Sequence, residues 1–274
     1  MRILVTGASG FVGRALCLKL AAEGLRVRAA LRRAAATPDR CERVLIGDVG
    51  PDTDWSAALA GVDTVVHLAA RVHMMDDTAN DPLEAFRHVN VLGSERLAGA
   101  AARAGVRRLV FVSSIKAMGE RTAPDRPFSE VDTPRPADPY GRSKWEAEQS
   151  LAAIAARTDI ELAIVRPPLV YGPAVRANFL SLMELIALGL PLPLGQLENR
   201  RSLVYLHNLC DALYRCTVDP RASGQLFLVA DDKALSTPEL IRDMARALEV
   251  RPRLLAIPPA VLRLAGAVTG RSAA

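Results

Sequence analysis

The sequence contains few aromatic residues: Phe, Trp and Tyr together make up 4% of its 274 residues. Surfaces that bind single-stranded nucleic acid stack bases on aromatic side chains, so this composition argues against such a surface and against a large aromatic interface. No block of consecutive Lys or Arg exceeds two or three residues, and 35 basic against 30 acidic residues give a net charge of +5. We therefore expect no nucleic-acid partner, and a diffuse positive charge that suits an anionic small molecule.

Cysteine is also scarce, and the sequence shows neither a CxxC pair nor a grouping typical of metal ligands. The four cysteines are Cys17, Cys41, Cys210 and Cys216. Isolated cysteines of this kind are typical of reduced, buried thiols in a cytoplasmic protein. His73, Asp76 and Asp77 lie close together in the sequence, but we interpret them as a solvated loop. The sequence therefore predicts no bound metal.

Long hydrophobic runs are absent as well. A membrane-spanning helix needs about 18 or more consecutive apolar residues, and no run reaches that length. The first seven residues hold only three consecutive apolar residues, fewer than the core of a signal peptide. The most apolar stretch, 256–269, is interrupted by prolines and Arg263, and we expect a packed helix there. These features predict a cytoplasmic protein without a membrane span.

Short apolar runs alternate with Ala- and Leu-rich segments of helical period. The runs predict buried strands at residues 2–6, 26–31, 44–47, 64–68, 109–113 and 161–166. The segments between them predict helices at residues 12–23, 82–104 and 140–157. Continuous apolar strands separated by helices are typical of a parallel sheet covered on both faces. We therefore predict an α/β fold with a Rossmann-type doubly wound parallel sheet.

Beyond residue 166 the pattern changes to loops rich in Pro and Gly. Helices are predicted at 178–188, 207–217 and 237–248, and a strand at 225–229 either belongs to this part or returns to the main sheet. We expect a dinucleotide-binding Rossmann domain over residues 1–166 and a small C-terminal substrate-binding lobe over residues 167–274.

Three glycines follow the first predicted strand, and Gly7, Gly10 and Gly13 form a Gly-x-x-Gly-x-x-Gly motif between strand and helix. The first allows a tight turn, the second lets the backbone approach a pyrophosphate, and the third lets helix and strand pack closely. The N-terminus of the helix, with Phe11 and Val12, attracts the anion. The motif predicts a bound dinucleotide.

The end of the second predicted strand bears on which dinucleotide is bound. A site for NAD usually carries an acidic residue there that bonds the ribose hydroxyls, but the sequence has Leu31-Arg32-Arg33. Either Arg32 holds the 2′-phosphate of NADP through charge-assisted hydrogen bonds, or both arginines are solvated. Asp48, after the third predicted strand, is placed to bond the adenine amino group. The sequence favours NADP over NAD and leaves both open.

Tyr140 and Lys144 lie at the start of a predicted helix that follows Pro139. Residues four apart share one face of a helix, so the phenol and the ammonium are expected to point into one site. A nearby cation favours the phenolate and is expected to lower the pKa of Tyr140 from about 10 toward the working pH. The preceding strand ends in Ser113 and Ser114, which bring hydroxyls to the same site.

With these motifs the sequence resembles the extended short-chain dehydrogenases/reductases, the NAD-dependent epimerase/dehydratase family, from Met1 to about residue 250. Two further segments carry the resemblance: Asn90-Val91-Leu92-Gly93-Ser94 and Arg166-Pro167-Pro168-Leu169-Val170-Tyr171-Gly172-Pro173. It implies that Ser114, Tyr140 and Lys144 are the catalytic residues.

Ligand-binding residues follow from the motifs and the resemblance together. His67 is expected to be a packed core histidine, whereas the small residues after it leave space for the cofactor. The set predicted to contact the cofactor is Gly7, Gly10, Phe11, Val12, Gly13, Arg32, Asp48, Val49, Leu68, Ala69, Ala70, Asn90, Ser113, Tyr140, Lys144 and Pro167. The set predicted to contact the substrate is Ser114, Tyr140, Asn178 and Arg201, the last two matching positions that bind a nucleotide diphosphate.

Within the family, sugar-nucleotide 4,6-dehydratases carry an Asp-Glu pair where this sequence has Ile115-Lys116, so a dehydratase is not expected. The segments 71–75, 113–116 and 140–149 are most similar to bacterial UDP-sugar 4-ketoreductases of the UDP-N-acetylquinovosamine type and to UDP-glucose 4-epimerase-like proteins. The resemblance implies NAD(P)H-dependent reduction of the 4-keto group of a UDP-4-keto-6-deoxyhexose, in surface polysaccharide biosynthesis. The alternatives are an NAD-dependent UDP-sugar 4-epimerase and a non-catalytic dinucleotide-binding protein.

The resemblance also implies a homodimer. In relatives the outer faces of two helices form a symmetric four-helix contact, and the helices predicted at 82–104 and 140–157 correspond to them. Small residues at Ala98, Gly99, Ala101 and Ala102 are expected to permit close approach. Relatives continue for some tens of residues beyond the position of Ala274, so we expect the substrate lobe to be truncated.

Overall fold

Parallel strands form the main sheet of the protein. The computed structural model describes residues 1–35, 37, 40–72, 81–123 and 126–261. His73, Asp76, Asp77 and residues 262–269 of the predicted C-terminal helix therefore lie outside the described residues. The strands within these ranges are β1 (Arg2–Thr6), β2 (Arg26–Leu31), β3 (Cys41–Leu45), β4 (Thr64–His67), β5 (Arg108–Val112), β6 (Glu161–Arg166), β7 (Leu169–Tyr171), β8 (Leu203–Tyr205) and β9 (Leu226–Leu228).

The order of strands in the main sheet is β3-β2-β1-β4-β5-β6-β9, and every neighbouring pair is parallel. This confirms the predicted doubly wound α/β fold. The chain turns to one side of β1 for β2 and β3 and to the other side for β4, β5 and β6. In such sheets ligands bind at the carboxyl ends of the strands, where this change of direction leaves a crevice.

Helices alternate with the strands along the chain. In the described residues they are α1 (Phe11–Ala22), α2 (Ser56–Leu59), α3 (Pro82–Arg87), α4 (Gly93–Arg103), α5 (Pro139–Ala155), α6 (Ala177–Ala187), α7 (Leu206–Val218) and α8 (Thr237–Ala247). A π-helical turn, His88–Leu92, joins α3 to α4. Among the described residues, no helix combines the length and the apolar character that crossing a membrane requires.

The core lies between the central strands and the helices beside them. β4 and β5 are buried along their whole length, which explains why most of their residues are apolar. Leu109 and Phe111 of β5 pack with Leu97 of α4 and Leu151 of α5 in one apolar cluster. Fully burying each of these side chains stabilises the fold by about 1.5–3 kcal/mol.

The small residues of α4 do not all lie on the face predicted for a dimer contact. Ala98 and Ala101 are 1% and 0% exposed and belong to the core cluster, so their assignment to an outer face is wrong. Ala98 and Ala101 lie next to Leu97 on the face of α4 that packs over the sheet, as the helical period requires. Gly99 and Ala102 are only half-buried and remain candidates for an outer contact.

The chain forms two compact units, and its second half contributes to both. Among the described residues, the first unit comprises residues of Met1–Pro168 and Leu206–Ala230, and the second comprises Leu169–Tyr205 and residues 231–261. β9 pairs with β6 in the first unit. Buried Arg108, at the start of β5, donates to the Cys216 carbonyl at 3.0 Å and the Asp219 carbonyl at 2.6 Å, which ties the end of α7 to the sheet.

The second unit has its own small core. Ile186 of α6 packs with Ile241 and Met244 of α8, and β7 pairs with β8 in a separate two-stranded parallel sheet. α8 begins with a capping box, in which Ser236 and Glu239 exchange hydrogen bonds.

Candidate active site

The glycine-rich turn follows β1 and is packed too closely for side chains. Gly7 has φ +65°, a left-handed conformation that favours glycine, and a Cβ there would lie 2.9 Å from the Ala69 nitrogen. A Cβ on Gly13 would overlap the Gly7 carbonyl oxygen, which also accepts the N–H of Gly10 at 2.9 Å. The turn therefore brings backbone groups to the start of α1, as the motif predicts.

Hydrogen bonds join the end of β1 to the end of β4. Thr6 Oγ1 accepts the backbone N–H groups of Leu68 at 3.1 Å and Ala69 at 3.0 Å. It also lies 2.7 Å from His67 Nδ1. Because a hydroxyl has one proton and the oxygen already accepts two N–H groups, Thr6 donates to Nδ1. These hydrogen bonds fix the positions of Leu68 and Ala69, which are predicted to leave space for the cofactor.

His67 continues the hydrogen-bonded chain to α4. Its Nε2 lies 2.9 Å from Ser94 Oγ, and that hydroxyl donates to the Asn90 carbonyl at 2.6 Å. Nε2 therefore carries the proton and donates to Ser94. Burial, and to a lesser degree the charge of Lys144, lowers the pKa of His67 to about 3. The prediction of a packed core histidine is confirmed, since His67 is 1% exposed.

Asn90, in the π-helical turn, bonds protein groups with both ends of its amide. Oδ1 accepts the Arg71 N–H at 2.8 Å, and Nδ2 donates to the Arg71 carbonyl at 3.0 Å and to Ser143 Oγ at 2.9 Å. Ser143 Oγ donates to the Tyr140 carbonyl at 2.8 Å. Asn90 thus ties the segment after β4 to α5, while its direct contact with a cofactor stays a prediction.

Ser114 and Tyr140 come together because the turn after β5 packs onto the start of α5. A Cβ on Gly141 would overlap the Lys116 carbonyl oxygen, so this approach requires glycine. The Ser114 side chain lies close enough to the Tyr140 phenol to lower its pKa, and the Phe86 ring meets the Tyr140 ring edge-on, with centroids 5.9 Å apart. Two of the three residues predicted to be catalytic are therefore neighbours.

Lys144 lies one turn further along α5 and is buried. Its Nζ donates to the Val112 carbonyl at 2.7 Å and lies 4.2 Å from the centroid of the Phe111 ring. The Phe111 ring lies 5.8 Å from the His67 ring, so Lys144 and the end of β4 are neighbours. Burial lowers the pKa of Lys144 to about 7, although Glu148 opposes this shift.

The pKa of Tyr140 differs from the sequence-based prediction. Burial raises it to about 12; the neighbouring Ser114 side chain lowers it, and the Asp138 carboxylate raises it. The predicted lowering by Lys144 is wrong for this geometry, because the ammonium is directed to the Val112 carbonyl and burial outweighs the favourable contacts.

Ser113 has a buried hydroxyl that lacks a hydrogen-bond partner in the described part of the chain. Its backbone N–H donates to the Val165 carbonyl at 2.8 Å, and the N–H of Ile115 donates to the Pro167 carbonyl at 2.9 Å. These bonds hold the turn after β5 against the end of β6, where Pro167 is buried. A buried hydroxyl without a partner is costly, so Ser113 is a group that a bound ligand can satisfy.

Arg32 and Asp48, predicted to contact different parts of the cofactor, face each other after β2 and β3. Arg32 Nη1 lies 3.5 Å from Asp48 Oδ1, and the side chains are 67% and 79% exposed. So exposed a pair contributes little to stability, and both groups are accessible to a ligand. The structure thus places a carboxylate beside Arg32 that the sequence pattern did not reveal.

The other residues predicted to contact the cofactor lie half-buried in the first unit. They are Phe11, Val12, Val49, Leu68, Ala69 and Ala70. Val49 marks a close approach to α4, since a Cβ on Gly93 would lie 2.8 Å from Val49 Cγ1.

Asn178 and Arg201, predicted to bind the substrate diphosphate, belong to the second unit. Asn178 is exposed in the first turn of α6. Arg201 is also exposed, and its backbone exchanges two 2.9 Å hydrogen bonds with Leu235. Their contact with a substrate stays a prediction.

A buried ion pair beside Lys144 was not foreseen from the sequence. Glu148, one turn further along α5, pairs with Arg166 at the end of β6, with 2.9 Å between Oε1 and Nε. The partners are 18 residues apart and lie on different elements. No local pattern in the sequence identifies such a pair.

Asp138 is a second charged residue that sequence reasoning missed, and here a signal existed. It is the N-cap of α5, and its Oδ1 accepts the Gly141 N–H at 2.6 Å. Asp is favoured at the N-cap and Pro in the first turn, so Asp138-Pro139 before Tyr140 marks this cap.

The parallel sheet, the glycine-rich turn, and Ser114, Tyr140 and Lys144 together define an enzyme of the extended short-chain dehydrogenase/reductase type. The model of the NAD dependent epimerase/dehydratase family matches residues 3–230, and the chain belongs to this family. The resemblance drawn from the sequence is confirmed.

The chain is also similar to individual relatives and solved structures. Over 271 residues the chain is 42% identical to a UDP-glucose 4-epimerase of Vibrio cholerae, covering 98% of this chain and 83% of the relative. The solved structure of MoeE5 in complex with UDP-glucose and NAD is 29% identical with a TM-score of 0.80, covering 93% of this chain and 84% of that one. MoeE5 in complex with UDP-glucuronic acid and NAD is 31% identical with a TM-score of 0.79 and the same coverage.

Proposed function

We propose that the protein is an NAD-dependent UDP-sugar 4-epimerase. The observation that carries this proposal is the close packing of the turn that holds Ser114 onto the first turn of α5, which holds Tyr140, with Lys144 one turn along the same helix. Two hydroxyls and a lysine at the carboxyl end of a Rossmann-type sheet suit proton exchange with the hydroxyl oxygen on a carbon that is oxidised and reduced. The identity to a UDP-glucose 4-epimerase favours epimerisation over net reduction.

The residues of the first unit fit a dinucleotide. Gly7 and Gly13 allow a close backbone approach at the start of α1, and Ser113 offers a buried hydroxyl. Asp48 offers a carboxylate beside Arg32; it suits the ribose hydroxyls of NAD and opposes a 2′-phosphate. NAD supplies the acceptor and the donor of hydride, and the MoeE5 structures contain NAD. These observations favour NAD over the NADP that the sequence alone favours.

In this proposal each residue has a defined task at the sugar. Tyr140 exchanges a proton with the hydroxyl oxygen at C4, and Ser114 hydrogen bonds the same oxygen. Lys144 holds the ribose of the cofactor. Asn178 and Arg201 hold the diphosphate of the substrate, for which the forked donors of Arg201 are suited.

The test is conversion of UDP-glucose to UDP-galactose in the presence of NAD, followed by anion-exchange chromatography. Because an epimerase returns the hydride that it removes, we expect product without net change in nicotinamide absorbance. Tyr140→Phe removes the proton-exchanging group and should lower turnover by about 10²–10⁴-fold with near-unchanged NAD affinity. Full activity in that variant contradicts the proposal.

A second candidate is the 4-ketoreductase, which the Ile115-Lys116 sequence after Ser114 and the exposed Arg32 support. A reductase consumes one NAD(P)H for each UDP-4-keto-6-deoxyhexose and does not interconvert UDP-glucose and UDP-galactose. Stoichiometric loss of NAD(P)H with that substrate, and none with UDP-glucose, would replace the epimerase proposal.

Cofactor preference is tested at the Arg32–Asp48 pair. If Asp48 opposes a 2′-phosphate, Asp48→Asn should improve the affinity for NADP. If Arg32 instead holds that phosphate, Arg32→Ala should weaken NADP by about 10- to 150-fold, the value of one hydrogen bond to a charged group. Calorimetric titration with NAD and NADP separates the two outcomes.

A further inference from the structure

Lys116 and Asp138 form an ion pair between the two segments that carry the proposed reactive hydroxyls. Lys116 lies two residues after Ser114, and Asp138 lies two residues before Tyr140. The Lys116 ammonium donates to Asp138 Oδ2, and it also lies 3.3 Å from Glu120 Oε1. The pair therefore joins the turn after β5 to the first turn of α5.

Both carboxylate oxygens of Asp138 are engaged. Oδ1 accepts the Gly141 N–H as the cap of α5, and Oδ2 accepts from Lys116. Burial alone would raise the pKa of Asp138, but the hydrogen bonds from Gly141 and Lys116 hold it below its usual value. Asp138 is therefore a fixed negative charge at neutral pH, at the start of the helix that carries Tyr140.

Several charged groups lie on the elements that pack around Tyr140. They are Asp138 at the cap of α5, Lys116 and Glu120 in the segment after β5, Lys144 on α5, and Arg71 after β4, whose guanidinium lies 5.7 Å from the Phe86 ring. A like charge disfavours the phenolate, and Asp138 does raise the pKa of Tyr140. Lys116, as the counter-ion of Asp138, opposes that effect.

We propose that Lys116 and Asp138 are positioning residues for Tyr140: the pair holds Ser114 beside the phenol, and its two opposite charges set how readily the phenol releases its proton. This inference rests on the proposed function, in which Tyr140 exchanges a proton with the substrate. Removing the Asp138 carboxylate leaves the Lys116 ammonium paired with Glu120 and takes away a negative charge that disfavours the phenolate. Removing the ammonium leaves the carboxylate and disfavours the phenolate. The two single changes therefore act in opposite directions.

The experiment compares Asp138→Asn, Lys116→Met and the double variant. Asn remains a good N-cap, so Asp138→Asn removes charge and keeps the helix start. Tyr140 is followed by fluorine NMR in protein labelled with fluorinated tyrosine, whose lower pKa keeps the titration within the folded range. The chain has four tyrosines, and the Tyr140 signal is the one missing in Tyr140→Phe.

We expect the midpoint of Tyr140 to fall by about 0.5–1 pH unit in Asp138→Asn, the effect of one partly screened unit charge. It should rise in Lys116→Met and return toward the parent value in the double variant. Asp81→Asn is the matched control, because Asp81 is also an N-cap before a proline and accepts the Glu84 N–H at 3.1 Å. That control should leave the midpoint unchanged.

The proposal is overturned if both single variants move the midpoint in the same direction, or if neither differs from Asp81→Asn. If one of the two single variants does not fold, the Tyr140 midpoint of the other is compared with that of Asp81→Asn. The titration needs no turnover, so its outcome is distinct from failure of the proposed function, which appears as full activity in Tyr140→Phe. Where the proposal holds, the limb of the kcat–pH profile moves with the NMR midpoint.

Discussion

At the scale of single residues, the site encloses two basic side chains whose charged forms are disfavoured. Burial lowers the pKa of Lys144 to about 7 and that of His67 to about 3, because loss of water penalises a charge. His67 is therefore neutral at pH 7, as its acceptor role toward Thr6 requires. Lys144 changes charge close to neutral pH, so its cost to the fold depends on pH.

We predict that Lys144→Met stabilises the protein below pH 7. An unfolded chain protonates this lysine up to its ordinary pKa of 10.5, whereas the folded protein does so only up to about 7. Between these values the unfolded state binds more protons, so the parent gains stability as pH rises. At roughly 1.4 kcal/mol per pKa unit, the advantage of the variant should be several kcal/mol at pH 6 and should vanish near pH 10.5.

Urea denaturation at pH 6 and pH 9.5 measures this difference. Loss of the hydrogen bond to the Val112 carbonyl costs the variant about 1 kcal/mol at both values and does not alter the trend. Lys233→Met, at an exposed lysine, is the control and should show little dependence on pH. A constant difference between Lys144→Met and the parent across this range would refute the buried-charge explanation.

At the scale of elements, local pattern identifies the strands and helices, and the environment shifts their ends. The sequence predicts β1 and β6 with the bounds that the structure has. It predicts the third strand at 44–47, whereas β3 spans Cys41–Leu45, because an edge strand exposes polar residues such as Glu42 and Arg43. It also predicts one helix at 82–104, which the structure divides by a π-helical turn at Asn90.

The site is predictable only where one element supplies the geometry. Tyr140 and Lys144 are found from their spacing on α5, since four residues define one helical face. The direction in which the pKa of Tyr140 moves cannot be found from this spacing, because it depends on burial by other elements. The contact of Thr6 with His67 spans 61 residues, and no local rule identifies such a pair.

Gly141 provides a prediction at this scale. Ala in place of an unconstrained helical Gly stabilises by about 0.5–1 kcal/mol, but here the added Cβ overlaps the Lys116 carbonyl oxygen. Gly141→Ala should therefore destabilise the fold by about 1–3 kcal/mol and lower turnover at least tenfold by moving Ser114 away from Tyr140. Gly99→Ala in α4 is the matched control, since within one subunit its Cβ meets only the Arg103 side chain at 3.5 Å; both changes are made in the Ala102→Glu background, which removes the predicted dimer contact, and Gly99→Ala should then be neutral or stabilising. Equal thermal shifts for the two variants would show that the close approach is not required.

At the scale of the whole molecule, the sheet depends on both halves of the chain. The chain leaves the first unit after Pro168, contributes Leu169–Tyr205 to the second unit, and then returns to the first unit to form α7 and β9. Arg108 bonds the carbonyl groups at the end of α7, and Leu209 and Leu213 of α7 are fully buried. A fragment that ends at Pro168 lacks these contacts, so we expect it to expose apolar surface and to be less stable than the full chain.

The prediction of a homodimer also belongs to this scale, with the contact face corrected. Ala98 and Ala101 face the core, so the outer face is represented by Leu92 of the π-helical turn, by Gly99 and Ala102 of α4, and by Gln149 of α5. Leu92 is 38% exposed, and the small residues allow a second helix to approach. If these faces meet across a two-fold axis, one change in the chain places two charges in the contact.

Ala102→Glu should therefore shift the protein from dimer to monomer in sedimentation velocity at micromolar concentration. The two carboxylates lose water in the contact and face each other across the two-fold axis, which costs several kcal/mol per interface. Ala22→Glu makes the same substitution at the exposed end of α1 and should leave the sedimentation coefficient unchanged. A parent protein that sediments as a monomer would contradict the dimer itself. If the dimer persists in Ala102→Glu but dissociates when a charge is placed on another surface, the subunits meet through that other surface.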